Sequence, residues 1–474
     1  MRLLVPSMLL WLAASSATAD TIVLKNGRRI VAENVTEDSN HVTYQTPAGQ
    51  MSIPKSLVAR IEHDDFIYPS AAATSAEPPV SAPQVEPVQG YEDVATRAVH
   101  GDSIDYAYIA QLETDGRAGG SGAVAKVAAA HHAAAQFLIG KGDTDAAIQQ
   151  YRQALVFAPD NTGLLLNLAV LYLRESQFTA ALDPLGHARR VSPDSADVAK
   201  LMGWAYYGAN KMKDAIEAWT RAERLRPDPE VEQALAKARR DQSEEESYRE
   251  GETAHFDLKY YGGAAPDLAS ELLRVLEGDF RDLESQLDYT PVESIPVILY
   301  TEQGFADITR APGWVGALND GRLRIPVQGL THVTPELARV LRHELTHSFV
   351  GQKSHNRAPT WLQEGIAQWM EGRRSSSEAS ALLDAAGQGR VPSLAGMEGS
   401  WMGLSGNQAA FAYAWSLAVV ESIIDAGGVT DISRLLDRVA SAPSTEIALK
   451  ESLHLSYDDL NQQTIAYLKR AYLR

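Results

Sequence analysis

Two histidines and two glutamates carry the chemistry that is most legible in the sequence. His343-Glu344-Leu345-Thr346-His347 is an H-E-x-x-H pattern. At 3.6 residues per turn, His343 and His347 leave one face of a helix about one turn apart, so two imidazoles can hold a single metal ion. Glu344 stands beside that face, placed to take a proton from water at the metal. A catalytic zinc uses three protein ligands and keeps its fourth position open, and Glu364 lies downstream at a distance suited to a second helix. The chain has no cysteine, so any metal site must be built from histidine and carboxylate, and a structural zinc site, usually four-ligand and Cys-rich, is disfavoured.

The elements that must position these groups can be read around them. Thr334-Pro335-Glu336 is a helix start, with Thr as N-cap, Pro in the first turn and an acid near the positive end of the dipole. Gly351 is the expected stop. Pro359-Thr360 opens a second helix on which Leu362, Ile366 and Met370 recur at spacing four, a stripe that can pack inward. Glu364 lies off that stripe. An acid at the edge of a buried face needs a cationic partner, and a zinc ion would be one.

The pair formed by H-E-x-x-H and Trp361-Leu362-Gln363-Glu364-Gly365-Ile366-Ala367 resembles the gluzincin metallopeptidases, the thermolysin-like group of zinc enzymes. The resemblance covers roughly residues 254 to 425 and is strongest from 339 to 371. It implies a Zn2+ cofactor with His343, His347 and Glu364 as ligands, Glu344 as general base, and peptide hydrolysis as the reaction. It also implies an antiparallel edge strand along the cleft, for which residues 323–327 are the candidate, and a downstream oxyanion donor, for which Tyr413 fits the order. An ordinary core tyrosine explains Tyr413 about as well. One departure stands out: Gln368 occupies the position where such enzymes often carry an acid that orients a ligand histidine, so a different partner or weaker metal binding is expected. His131, His132 and His355 show no ligand spacing and are read as structural or exposed.

The chain reads as a multidomain protein: a small N-terminal β-domain, an all-α tetratricopeptide-repeat solenoid and a C-terminal α+β gluzincin-type metallopeptidase domain. Residues 251–474 form the last of these. Strands are expected at 254–261 and 296–301, a helix at 266–287, a hairpin at 316–327 around Asn319-Asp320-Gly321, and mostly helix after Thr334. Upstream, Pro159, Pro193 and Pro227 recur every 34 residues. Aligned on them, Ala147, Ala181 and Ala215 share one column, Ala154, Ala188 and Ala222 a second, and Tyr151, Leu185 and Trp219 a third. Small residues let paired helices approach and the bulky column fills between them, a pattern that resembles three tetratricopeptide repeats over about 128–228, within a helical region 95–240. Residues 241–250, with Glu244-Glu245-Glu246, are read as a charged bridge and a solvated helix end. Residues 20–67 alternate apolar and polar between turns such as Asn26-Gly27 and Pro47-Ala48-Gly49, as in a β-meander or barrel of four or five strands. Residues 68–94 are a Pro/Ala-rich linker.

At 474 residues the chain has length for roughly three domains. A net charge of −18 disfavours nucleic acid and anionic membranes as partners. Met1-Arg2, an apolar stretch and Ala17-Thr18-Ala19 describe a cleavable signal peptide over residues 1–19. No later stretch is expected to span a membrane, so the mature chain is expected outside the cytoplasm, periplasmic or secreted. A peptide or protein substrate, and a protein partner bound through the repeats, follow as expectations. Two readings compete with the peptidase: a catalytically silent envelope scaffold or adaptor with a peptidase-like domain, and a metal-dependent hydrolase of a non-peptide amide or ester. An intact base and ligand set weighs against the first.

Overall fold

The computed structural model describes residues 19–25, 29–37, 41–46, 49–62, 91–119, 122–263, 266–309, 317–327, 330–401, 404 and 406–473. Residues 1–18 of the expected signal peptide, most of the 68–94 linker, and the turns at Asn26-Gly27 and Pro47-Ala48 lie outside them.

The alternation at the N-terminus produces an antiparallel sheet of β1 (Ala19–Leu24), β2 (Arg29–Glu37), β3 (His41–Thr46), β4 (Gly49–Pro54) and β5 (Val58–Glu62). The order is β4-β3-β2-β1-β5, a four-stranded meander whose fifth strand returns along β1.

Helix α1 (Glu92–Ala98) begins inside the stretch read as linker. A two-residue ladder of β6 (Val99–His100) and β7 (Ser103–Ile104) leads to α2 (Tyr106–Arg117). Three helix hairpins follow: α3 (Ala123–Lys141) with α4 (Thr144–Phe157), α5 (Thr162–Arg174) with α6 (Phe178–Val191), and α7 (Ala196–Gly208) with α8 (Met212–Leu225). Helix α9 (Pro229–Glu245) closes the array. The three aligned columns are all buried in one core, so the 34-residue period read from the prolines is a packing period. The turn inside each hairpin carries a left-handed residue at the same spacing: Gly142, Ser176 and Asn210, with φ of 79°, 54° and 56°. These turns form one edge of the array, and that edge is docked. A Cβ on Gly142 would fall 2.0 Å from Ser441 Cβ. Glu175 meets His355 at 2.8 Å, Thr179 donates through N and Oγ1 to Glu293 at 2.7 and 2.8 Å, and Asn210 Oδ1 accepts from Arg322 at 3.1 Å.

The C-terminal unit is built on a second sheet of β8 (Arg249–Glu252), β9 (Phe256–Tyr260), β10 (Ile295–Tyr300), β11 (Leu318–Asn319) and β12 (Leu323–Pro326). Its order is β11-β12-β10-β9-β8. The three inner strands are parallel, and β8 and β11 run antiparallel at the two edges. The hairpin around Asn319-Asp320-Gly321 is therefore present, but 323–327 does not supply the edge: β12 is enclosed between β10 and β11, and the antiparallel edge strand is β11. Helices α10 (Pro266–Leu287) and α11 (Glu302–Thr309) connect the strands. After them come α12 (Pro335–Lys353), α13 (Thr360–Met370), α14 (Ala379–Gly387), α15 (Gly406–Gly427), α16 (Val429–Ser441), α17 (Thr445–Ser452) and α18 (Tyr457–Tyr472). One face of β12, Leu323 and Ile325, joins the core with Leu276 and Phe280 of α10 and Leu341, Leu345 and Phe349 of α12.

Three further expectations are corrected. Asp241 and Glu245 are buried, so the 241–250 stretch is only partly solvated: α9 ends inside it at Glu245, Ser243, Glu246 and Ser247 are exposed, and β8 straddles its far boundary. Gly351 does not stop α12, which runs two residues further, because the left-handed turn is made by His355 and Asn356. One later segment does reach membrane-spanning length and composition, Gln408–Gly427 in α15; its Trp415, Ala418, Val419 and Val420 are buried in the core, and α15 packs on α13 and α18 as an interior helix.

Candidate metal centre

Helix α12 starts as read, with the Thr334 side chain accepting from Leu337 N at 3.1 Å. Its inner face buries Leu341, Leu345 and Phe349, and the flank beside that face carries His343 and His347 one turn apart, their ring centroids 4.9 Å from each other. Helix α13 buries Leu362, Ile366 and Met370 as expected, which turns Glu364 toward the two imidazoles. Glu364 Oε2 lies 3.3 Å from His343 Nε2 and 3.7 Å from His347 Nε2. Among the described residues this is the one group of three whose ligand atoms all fall within 4.8 Å of one another.

Gly365 has a packing role next to Glu364. A Cβ there would lie 2.4 Å from the backbone oxygen of Ser416 and 2.6 Å from Val420 Cγ2, so α13 and α15 cross nearly backbone to backbone at this point. That approach brings Tyr413, one turn earlier on α15, against Glu364, to whose carboxylate its hydroxyl is hydrogen-bonded. Tyr413 is half-buried and edge-on to Trp401 at 5.2 Å. Gln368 does not reach a histidine: its amide donates to the backbone oxygens of Tyr413 at 2.9 Å and Glu364 at 3.1 Å, bracing the crossing.

The acid that does approach one of the two histidines is Glu371, whose Oε2 lies 3.6 Å from His343 Nδ1. It stands two helical turns beyond Glu364, and that seven-residue spacing was its signal in the sequence. A second missed residue is Asn319. Its side-chain amide donates to the Glu344 carbonyl and to Ser348 Oγ, each at 2.7 Å, and so ties the edge strand to the turn carrying Glu344. His131 is buried against Gln150 and Glu113, His132 bonds Tyr151, and His355 joins Glu175, in keeping with structural roles.

Burial and mutual charge set the state of each group. Burial raises the Glu344 carboxyl to about 7, with Glu364 and Glu371 adding to the rise and His343 opposing it. Burial lowers His347 to about 4, leaving it neutral near pH 7. His343 is also penalised by burial, but Glu364 and Glu371 outweigh that and hold it up at about 10. Burial would raise Glu364 as well, yet the two imidazoles and Tyr413 keep it below the usual carboxylate range. Glu364 Oε2 is buried and meets no donor with hydrogen-bonding geometry. A buried anionic oxygen facing two imidazole nitrogens is a donor set that a dication completes, and two histidines with one carboxylate are the set of open catalytic zinc sites.

Residues 287–470 match the family model of the Peptidase MA superfamily. The match contains the whole histidine and glutamate cluster and begins only at the end of α10, although β8, β9 and α10 share its core and sheet. No curated protein matches the chain.

Proposed function

We propose that the protein is an exported zinc-dependent peptidase of the gluzincin type that hydrolyses peptide bonds, with its helical array acting as tetratricopeptide repeats that recruit substrate or a protein partner. The observation that carries the reading is the convergence of His343, His347 and Glu364 on one point, with Glu344 buried beside it. Zinc held there would supply a Lewis acid and a water whose pKa falls to about 7. Glu344 accepts the proton of the attacking water and returns it to the leaving amine. Tyr413 turns its hydroxyl from Glu364 to the developing oxyanion and stabilises charge that forms only in the transition state. Glu371 holds the His343 ring through Nδ1, the role left vacant by Gln368. Among the described residues β11 is the outermost strand on its side of the sheet, and a substrate strand can lie along it.

The 34-residue packing period and the buried Ala and Tyr/Leu/Trp columns support the repeat assignment, and Met1-Arg2 with its following apolar stretch supports export. The deciding experiment measures metal content and peptide-library cleavage on the purified full chain. One zinc per chain and chelator-sensitive cleavage are expected. Stoichiometric zinc without cleavage would make the protein a silent scaffold, and cleavage of esters but not peptides would place it among other metal-dependent hydrolases.

A further inference from the structure

Strand β12 is buried on both faces. Leu323 and Ile325 face the core beneath α12, whereas Arg322 and Arg324 face the other way and are buried too. What covers them is α9, the last helix of the array. Arg324 makes a forked pair with Asp241, Nη2 to Oδ2 at 2.8 Å and Nη1 to Oδ1 at 3.1 Å, and its Nε reaches both oxygens of Asp320 at 3.0 Å. Lys237 of α9 closes on Asp320 at 2.8 Å. Arg322 makes a second fork with Glu245 at 2.8 and 2.9 Å. Tyr300 of β10 joins the two forks, accepting from Arg324 at 2.7 Å and donating to Glu245 at 3.0 Å.

Buried ion pairs are a weak source of stability, since desolvation offsets most of their attraction; what they impose is geometry, because each fork tolerates little displacement. Here the geometry they fix is that of the β11–β12 turn. Asp320 is held from α9 through Lys237 and Arg324, and the preceding residue is Asn319, whose amide grips the Glu344 carbonyl and Ser348 Oγ. A continuous chain of directional contacts thus runs from Asp241, outside the span matched to the peptidase family, to the turn that carries the proposed general base.

We propose that Asp241 is a positioning residue for the cleft: through Arg324, Asp320 and Asn319 it sets the distance between the edge strand and Glu344, so that the helical array is part of the active-site framework. The effect on turnover rests on the peptidase reading above; the effect on local order does not.

The test uses full-length protein and the variants Asp241→Asn, Asn319→Ala, their double variant, and Val231→Ala as a control. Val231 is buried on α9 within the array's own core, and its truncation costs stability without touching the ion cluster. Asp241→Asn and Asn319→Ala are each expected to lower kcat by tenfold or more with KM and zinc content nearly unchanged. The double variant should be little worse than either, because both act through one contact chain. Val231→Ala should lower the thermal midpoint and leave kcat alone. Independently of any substrate, amide hydrogen exchange in residues 318–327 and 343–348 should quicken about tenfold in Asp241→Asn relative to Val231→Ala. If Asp241→Asn does not fold, Lys237→Met, a half-exposed member of the same cluster, should give the same pattern at smaller amplitude. Unchanged exchange in those segments, or kcat losses that multiply in the double variant, would overturn the proposal. Absence of turnover in the unmutated, zinc-loaded protein would instead overturn the peptidase reading, with the exchange comparison still deciding the positioning role.

Discussion

Glycine at 365 gives a prediction whose sign depends on packing at one point. In a helix interior, Gly→Ala normally stabilises by about 0.5–1 kcal/mol, because alanine restricts the unfolded chain more. Gly278, inside α10 with nothing within 4 Å of the place an added methyl group would take, should show that ordinary gain. At Gly365 the same methyl would sit 2.4 Å from Ser416 O and 2.6 Å from Val420 Cγ2, about 1 Å inside normal contact, and Ser416 O is backbone that cannot swing away. Prising α13 from α15 is an overpacking change costing about 1–3 kcal/mol. Less the helical gain, Gly365→Ala should destabilise by up to about 2.5 kcal/mol, and at about 2–4 °C per kcal/mol its midpoint should fall by up to about 10 °C. Because the crossing also sets Tyr413 against Glu364, turnover should fall further than stability alone explains. Thermal unfolding of Gly278→Ala and Gly365→Ala, with kcat on the second, is the assay. A Gly365→Ala protein as stable as Gly278→Ala would refute the close-crossing argument.

Glu344→Gln keeps the side-chain shape but removes the base, so turnover should drop on the order of 10²-fold or more with zinc retained; near-native turnover of the loaded variant would sink the mechanism. Tyr413→Phe should lower kcat by ~10²-fold with little change in KM or midpoint if the hydroxyl serves the oxyanion, whereas an unchanged kcat with a lowered midpoint would reduce Tyr413 to a packing residue. The pH dependence of stability carries a further expectation. Burial would raise Asp320, but Arg324 and Lys237 hold it well below the usual carboxylate range. A folded-state pKa below the unfolded value of about 3.9 contributes stability that is present above that value and lost as pH falls beneath it. The thermal midpoint of the wild-type chain should therefore fall below about pH 4, and Asp320→Asn, less stable at neutral pH, should show a shallower fall.

The grouping of His343, His347 and Glu364 was legible because helix geometry converts spacing into direction: the two histidines stand at i and i+4, and Glu364 lies beside the stripe Leu362, Ile366 and Met370. The 34-residue period and the second sheet's strands were legible for the same reason, since buried faces repeat at fixed intervals. What sequence pattern could not provide was the identity of a neighbour from another element. The antiparallel edge lies at Leu318–Asn319 and not at 323–327 because strand order is a tertiary property. The acid beside His343 is Glu371 and not position 368, because Gln368 is occupied bracing the α13–α15 crossing. Asp241 and Glu245 looked solvated because local composition carries no record of Arg322 and Arg324, which meet them from the sheet face that α9 covers.

The central claim is that His343, His347 and Glu364 together hold one zinc ion. Its most direct test is zinc stoichiometry by elemental analysis of the purified full chain and of Glu364→Ala, before and after mild chelation. The wild-type chain should retain about one zinc through chelation, while Glu364→Ala, lacking one of three protein ligands and its negative charge, should lose it. Zinc retained in full by Glu364→Ala, or no zinc bound by the wild-type chain when the metal is supplied, would contradict the account.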